Sequence, residues 1–338
     1  MVVLHRMAVA ILVAFGVLTL PLATASADTN ENIAAPRPDV EALLMKGAFD
    51  DLEKIATDER SSRARTHGGA WLIEHFYLDL TAIGHDDCAC GGRGSTYSFD
   101  GKRKSLESWL AAKPDSMTPR IALAELWANY AWQGRGGETG DEQWKAFNDG
   151  MTHALDLLRP VDPNADPQVY YLELQATPVY DEPRKKLDEI YARAVRAFPN
   201  FPDYATTRFN YLLERWYGEP GEAAAFTKTL LTTPGGDEGL IAYFSVARVF
   251  LGVERNFSVL FDGSGVAYPT LAKAFAVRSA TVGVSNADVN VLMYYAVAAL
   301  DKKTAAMLAK KIGDKWEPSV WTEKKYYDAA VTWTNQWF

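Results

Sequence analysis

Regularly spaced prolines place the strongest constraint on the fold of this chain. Pro202 follows Pro167 by 35 residues, Pro234 follows Pro202 by 32, and Pro269 follows Pro234 by 35. Each interval contains two runs with apolar residues at three- and four-residue steps, which is typical of amphipathic helices. A period of about 34 residues with two helices per unit is that of the tetratricopeptide repeat. The spacing therefore predicts an all-α protein of antiparallel helical hairpins, stacked as a tetratricopeptide-like α-solenoid or as an irregular helical array.

The stretch from Met117 to Pro160 is the clearest predicted hairpin. Pro119 stands where a helix would start, and apolar residues that share one helical face follow it. Four glycines between positions 134 and 140 interrupt this run, because glycine costs a helix interior about 1 kcal/mol relative to alanine. A second amphipathic run then ends at Pro160. No segment of the chain shows the sustained two-residue alternation of a strand.

The first 27 residues have the pattern of a cleaved signal peptide. A short basic start precedes an apolar run from Met7 to Leu22, and Ala25-Ser26-Ala27 matches a signal peptidase site. We therefore expect an exported protein, periplasmic or secreted, that begins at Asp28. The predicted organisation is a signal peptide at 1–27, a disordered lead at 28–38, an N-terminal helical region at 39–113 with an irregular loop at 84–101, and tetratricopeptide-like repeats at 114–338.

The chain is acidic, and this disfavours two classes of partner. It has 43 Asp and Glu against 35 Lys and Arg, a formal net charge of −8. Nucleic acids and anionic membrane surfaces attract clusters of basic residues, so neither is expected as a partner. No integral membrane segment is expected after removal of the signal peptide.

Sequence motifs of the common hydrolases and nucleotide-binding enzymes are absent. The chain contains no His-Glu-x-x-His, no Gly-x-Ser-x-Gly and no phosphate loop ending in Gly-Lys-Ser or Gly-Lys-Thr. A catalytic group assembled in space from distant residues leaves no such signature. The interpretation leans towards a protein that is not an enzyme, and no cofactor is expected.

His85, Cys88 and Cys90 belong to the densest group of potential metal ligands in the sequence. A structural zinc site normally needs four ligands, and the chain has no second cysteine pair, so these three are weak metal candidates. In an exported protein Cys88 and Cys90 can instead form a disulfide, although a Cys-x-Cys bridge closes a small, strained loop. A local disulfide is the preferred interpretation, followed by free thiols and then by a metal site.

The basic run from Arg60 to His67 has two interpretations. It could bind an anionic ligand at the start of the helix that follows. It could instead form a solvated face or pair with nearby acids such as Asp50, Asp51 and Glu53. The second, structural interpretation is preferred.

Four stretches of the sequence, taken together, carry a resemblance to a known family. They span most of the chain after the signal peptide and are Leu43–Arg65, Ala70–Leu80, Arg120–Gly136 and Tyr211–Phe226. Their most specific pieces are Tyr130-Ala131-Trp132 with Arg135-Gly136, and Arg215-Trp216-Tyr217-Gly218. These stretches resemble a bacterial family of uncharacterised exported proteins with tetratricopeptide-like repeats. The resemblance implies a helical-repeat fold and no particular activity, so no catalytic residue is carried over.

The first of two functional hypotheses is a non-enzymatic scaffold or adaptor that binds a peptide or protein partner. Stacked hairpins form a concave surface, and aromatic and arginine side chains are the usual anchors on such surfaces. The predicted partner-binding residues are Trp127, Tyr130, Trp132, Arg135, Arg215 and Trp216. For the two arginines alone, structural stacking on neighbouring aromatic rings is the default interpretation.

The second hypothesis is a cell-envelope hydrolase or metal-dependent enzyme with its site at the 84–101 loop. A long irregular loop within a helical protein is a common location for an active site. The absence of catalytic motifs makes the binding protein the preferred hypothesis.

Overall fold

The computed structural model describes residues 38–66, 68–83, 97–135 and 140–336. These residues are mostly helical, which confirms the all-α prediction. Within them, the only β-type pairing is one antiparallel bridge between Arg65 and Trp71. In chain order the helices are α1 (Val40–Lys46), α2 (Phe49–Ser62), α3 (Leu72–Thr81), α4 (Phe99–Ala112), α5 (Met117–Arg135), α6 (Asp141–Leu158), α7 (Pro167–Gln175), α8 (Pro183–Ala197), α9 (Pro202–Tyr211), α10 (Glu222–Thr229), α11 (Gly236–Val253), α12 (Phe257–Ser264), α13 (Tyr268–Thr281), α14 (Asn286–Ala298), α15 (Lys302–Ile312), α16 (Pro318–Trp321) and α17 (Lys324–Asn335).

Prolines stand at the start of several helices in the middle of the chain, and α8 also begins at one, Pro183. Pro167 and Pro202 are the first residues of α7 and α9, and Pro269 is the second residue of α13. Pro234 lies in an irregular turn, Leu231–Gly235, immediately before α11. Proline suits the first turn of a helix because its missing N–H would have no helical partner there. The proline period is therefore the spacing between successive helical pairs.

Helices α5 and α6 form the predicted hairpin and pack closely. A Cβ placed on Gly150 of α6 would lie 2.9 Å from the Cβ of Ala131 in α5, so the crossing requires glycine. α5 begins at Met117, and Pro119 falls in its first turn. The predicted glycine interruption falls between the two helices, since α5 ends at Arg135, one residue after Gly134, and α6 begins at Asp141. That last turn places the Arg135 side chain three residues after Trp132, on the same side of the helix.

The N-terminal predictions are only partly covered by the described residues. The predicted signal peptide and the lead up to residue 37 lie outside them. The C-terminal bound of the predicted loop at 84–101 is wrong, because α4 already begins at Phe99. The Ser98 hydroxyl fixes this start by accepting a hydrogen bond from the Gly101 amide at 3.2 Å.

The buried apolar residues form one continuous core that extends from Val40 in α1 to Ala330 in α17. A shared core of this kind holds the helices together through burial of their apolar faces. None of the described helices has both the length and the hydropathy needed to cross a membrane.

A short segment between α2 and α3 connects the N-terminal helices to the second half of the chain. Arg65 forms a bidentate ion pair with Glu238 of α11, at 3.0 and 3.2 Å. The Gly68 amide donates to the Val282 carbonyl at 3.1 Å, and the Gly68 carbonyl accepts a hydrogen bond from Arg278 of α13. In an open solenoid each repeat touches only its neighbours. These contacts span 173 and 210 residues of sequence, so the described helices form an irregular array.

Candidate functional site

A groove of about 530 Å³ opens between the C-terminal ends of α5 and α7, helix α9, and the turn that follows α9. Its walls carry four aromatic rings, from Trp132, Tyr171, Tyr211 and Trp216. Its charged lining residues are Arg135, Asp203 and Arg215. Concave surfaces with apolar walls and a few convergent polar groups are the usual form of a binding site. The groove is therefore the best candidate for a functional site in the part of the chain that the structure describes.

The Arg135 guanidinium lies among three indole rings. Its central carbon is 4.6 Å from the ring centroid of Trp144, 5.0 Å from that of Trp216 and 5.5 Å from that of Trp132. Cation–π attraction of this kind stabilises the charge without using the N–H donors. Arg135 Nε and Trp132 Nε1 are both buried, and neither has a hydrogen-bond partner among the residues that the structure describes. Because both nitrogens are buried, they belong to the packed wall behind the groove surface.

Arg215 adds a second positive charge next to Trp216. Its side chain is exposed, and its Nη2 donates a hydrogen bond to Asn210 Oδ1 at 2.8 Å. Asp203 precedes Asn210 by seven residues in α9, which corresponds to about 10 Å along the helix axis. The groove therefore has a basic end at Arg135 and Arg215 and an acidic end at Asp203.

Two carboxyl groups meet at the acidic end of the groove. Asp203 and Glu74 of α3 are hydrogen-bonded to each other, which requires a proton on one of them. Burial raises the pKa of both groups, and the charge of Asp203 raises the pKa of Glu74 further. Burial and the same neighbouring carboxylates also raise the pKa of Tyr171, which lines the groove. The pair therefore retains a shared proton to higher pH than two isolated carboxyl groups would.

Glu125 of α5 belongs to the same group of acids and is only 4 % exposed. Gln168 Nε2 donates to its Oε2 at 2.7 Å. The Thr81 hydroxyl oxygen lies 3.5 Å from Oε1 of Glu125. Because the Thr81 hydroxyl donates its own proton to the Tyr77 carbonyl at 2.9 Å, a protonated Glu125 can donate to the Thr81 oxygen. Burial raises the pKa of Glu125 to about 8, and neighbouring carboxylates contribute to the increase. Glu125 is therefore mostly neutral in the folded protein below that pH.

Four of the six predicted partner-binding residues line this groove, namely Trp132, Arg135, Arg215 and Trp216. The other two, Trp127 and Tyr130, pack on Phe99 of α4, with ring centroids 4.9 and 4.2 Å from it. Trp127 precedes Trp132 by five residues, and Tyr130 precedes Arg135 by five. Each residue of a helix turns by about 100°, so a separation of five residues rotates a side chain by about 140° around the axis. Trp127 and Tyr130 therefore face a different side of α5 from the groove.

The arginines of the basic run from Arg60 to His67 make structural contacts. Arg60 Nε donates to the buried Asp166 carboxylate at 2.7 Å, and the Arg63 guanidinium lies 5.7 Å from the Trp71 ring centroid. Arg65 pairs with α11, as described above. These contacts support the structural interpretation of the run. The predicted partners at positions 50–53 are wrong, because the fold brings acids from distant helices to these arginines.

The predicted disulfide and metal candidates fall outside the described residues, as do His67 and His85. Whether Cys88 and Cys90 are bridged, free or metal-bound therefore stays a prediction, and so does an enzyme site at the 84–101 loop. Across 38–66, 68–83, 97–135 and 140–336, no three His, Cys, Asp or Glu side chains are grouped as a metal site requires.

Sequence reasoning missed the three carboxyl residues at the acidic end. Glu74 and Glu125 carry a signal, because each is a single acid within an apolar helical run, WLIEHFYL at 71–78 and ALAELWA at 122–128. A charged residue in such a run lies either on the solvent face or in the core with a shifted pKa. Asp203 carries no such signal, since acids are common in the first turn of any helix.

No protein-family model, curated protein or solved structure matches this chain. The resemblance of its four sequence stretches to a tetratricopeptide-like family stays a prediction, and a helical fold alone does not identify a function.

Proposed function

We propose that this protein is an exported, non-enzymatic scaffold or adaptor that holds a peptide segment of a protein partner in the groove. The observation that supports this most is the meeting of Trp132, Arg135, Arg215 and Trp216 on one concave surface. Tryptophan and arginine are the residue types that most often dominate the binding energy of protein interfaces.

The dimensions of the groove suit an extended peptide. Asp203 and Asn210 line the groove about 10 Å apart along the axis of α9, which is the length of about three residues of extended chain. The aromatic walls offer apolar surface to peptide side chains. Gln175, Thr206 and Asn210 offer donors and acceptors to a peptide backbone.

A screen of the purified protein on an array of synthetic decapeptides of random sequence tests this proposal, followed by fluorescence anisotropy with the selected peptides. Trp216→Ala removes one wall of the groove and part of the support of Arg135, so it should weaken binding at least about tenfold. The matched control is Tyr130→Ala, which removes a 48 % exposed aromatic ring outside the groove. The control should leave the affinity unchanged.

Arg215→Ala provides a groove variant with little effect on folding. Its side chain is exposed and makes one hydrogen bond, to Asn210. Peptide affinity should fall while the thermal midpoint of unfolding stays at the wild-type value. An array on which no peptide is retained would refute the proposal, and so would an equal loss of affinity in Tyr130→Ala and the groove variants.

A further inference from the structure

We infer that the groove selects peptides with an acidic side chain, Asp or Glu, whose carboxylate pairs with Arg215, an inference that rests on the proposed function. Arg215 lines the groove, and its side chain is exposed. A guanidinium has five N–H donors, and within the described protein Arg215 uses Nη2 for a hydrogen bond to Asn210 Oδ1 at 2.8 Å. Arg215 therefore has donors left for a bidentate contact with a carboxylate.

The two arginines of the groove have no acidic partner in the part of the chain that the structure describes. Arg60 and Arg65 each pair with a carboxylate, at 2.7 and 3.0 Å, respectively. Within the described ranges no carboxylate forms an ion pair with Arg135 or Arg215, although Glu214 is next to Arg215 in the sequence. Two positive charges thus line one groove, and neither is neutralised by an adjacent acid.

The acidic residue that lines the groove is too far away to neutralise these charges. Asp203 lies about 10 Å along the axis of α9 from Asn210, the hydrogen-bond partner of Arg215. This distance is about one Debye length at 0.1 M salt, so salt weakens the effect of Asp203 on Arg215. The Arg135 guanidinium adds a second positive charge, 5.0 Å from the Trp216 ring centroid. This end of the groove is therefore locally basic, in a chain with a formal net charge of −8.

An acidic side chain fits the basic end of the groove by shape as well as by charge. Trp216 lines the groove next to Arg215, and its ring offers apolar surface to the methylene groups that carry a side-chain carboxylate. The two coplanar oxygens of the carboxylate match the parallel N–H groups of a guanidinium. A basic side chain is repelled by Arg135 and Arg215 and attracted towards Asp203. The charge of the peptide side chain therefore determines which peptides bind at this end.

The decapeptide array provides the first test. Asp and Glu should be at least about twofold more frequent among the retained peptides than on the whole array. Each retained acidic peptide is then compared, by fluorescence anisotropy, with the form in which the acid is replaced by its amide, Glu by Gln or Asp by Asn. The acidic form should bind about fivefold more tightly, which is the upper range for an ion pair that water still reaches.

Arg215→Gln removes the positive charge at an exposed position, so the ratio of the two affinities should fall to about twofold or less. Arg215→Lys keeps the charge but not the planar pair of donors, and should give a ratio between those of Arg215→Gln and the wild-type protein. Arg159→Gln is the matched control, because its side chain is 80 % exposed and lies outside the groove. The control should keep the wild-type ratio.

Equal binding of the acidic and amide forms by the wild-type protein would overturn the inference and leave peptide binding intact. Retained peptides with no excess of Asp and Glu would also overturn it, as would a ratio that is unchanged in Arg215→Gln or equally lowered in Arg159→Gln. The same holds if amidation of the peptide C-terminus lowers the affinity and replacement of the acidic side chain does not. Absence of any peptide binding would instead refute the proposed function.

Discussion

Replacing Glu125 by glutamine tests whether burial raises the pKa of this carboxyl group in the folded protein. Burial raises the pKa of Glu125 from 4.5 to about 8, so the folded protein holds this proton more tightly than the unfolded chain. The resulting stabilisation is fully present below pH 4.5 and is lost as the pH rises through about 8. A pKa difference of this size changes the free energy of unfolding by at most about 4 kcal/mol between pH 5 and pH 9.

The Glu125→Gln side chain is neutral at every pH and keeps the local hydrogen bonds. Its amide oxygen can accept the bond that Gln168 Nε2 now donates at 2.7 Å, and its NH₂ group can donate to the Thr81 hydroxyl. The variant should match the wild-type stability at pH 5 and exceed it by up to about 4 kcal/mol at pH 9. Part of the pH dependence should persist, because Glu74 and Asp203 also have raised pKa values.

Urea unfolding followed by far-UV circular dichroism between pH 5 and pH 9 measures this difference. Glu142→Gln on the exposed surface of α6 is the matched control and should follow the wild-type curve. If Glu125→Gln loses stability in parallel with the wild-type protein as the pH rises, another group carries the pH dependence and the reasoning is refuted.

Two pairs of substitutions test the packing of the array by thermal unfolding. Gly150→Leu adds a side chain where a Cβ alone already meets α5, and should destabilise by about 1–3 kcal/mol. Gly134→Ala meets nothing within 4 Å and should stabilise α5 by up to about 1 kcal/mol. Asp166→Asn removes the buried carboxylate partner of Arg60 and should cost about 3–5 kcal/mol, whereas Asp149→Asn in an exposed ion pair should have no measurable effect. A neutral Gly150→Leu, or equal effects of the two Asp→Asn changes, would contradict the packing described here.

The helical hairpins could be predicted from the sequence because their signals are local. Pro167, Pro202 and Pro269 mark helix starts through a property of proline itself, its missing N–H. Glycine supplied a second local signal, because the stretch of four glycines from position 134 to 140 separates the end of α5 at Arg135 from the start of α6 at Asp141. Local residue propensities therefore predicted the helices and the break between α5 and α6.

The groove could be predicted only in part. Trp132 and Arg135 share a helix face at three-residue spacing, and Arg215 and Trp216 are adjacent, so each pair could be found separately. Their meeting depends on how α5 packs against the turn after α9, and no local pattern contains that information. Grouping Tyr130 with these four residues was wrong, because residues one or two positions apart in a helix point to different sides of it.

The contacts between the segment after α2 and helices α11 and α13 also affect the order in which the protein can reach its native state. Gly68 and Arg278 are 210 residues apart, and the entropic cost of closing a loop grows with its length. Contacts this remote are slow to form. A chain synthesised from its N-terminus leaves Arg65 and Gly68 without these partners until the residues of α11 and α13 have been added. The first helices therefore reach their final environment only when the last third of the protein is being made.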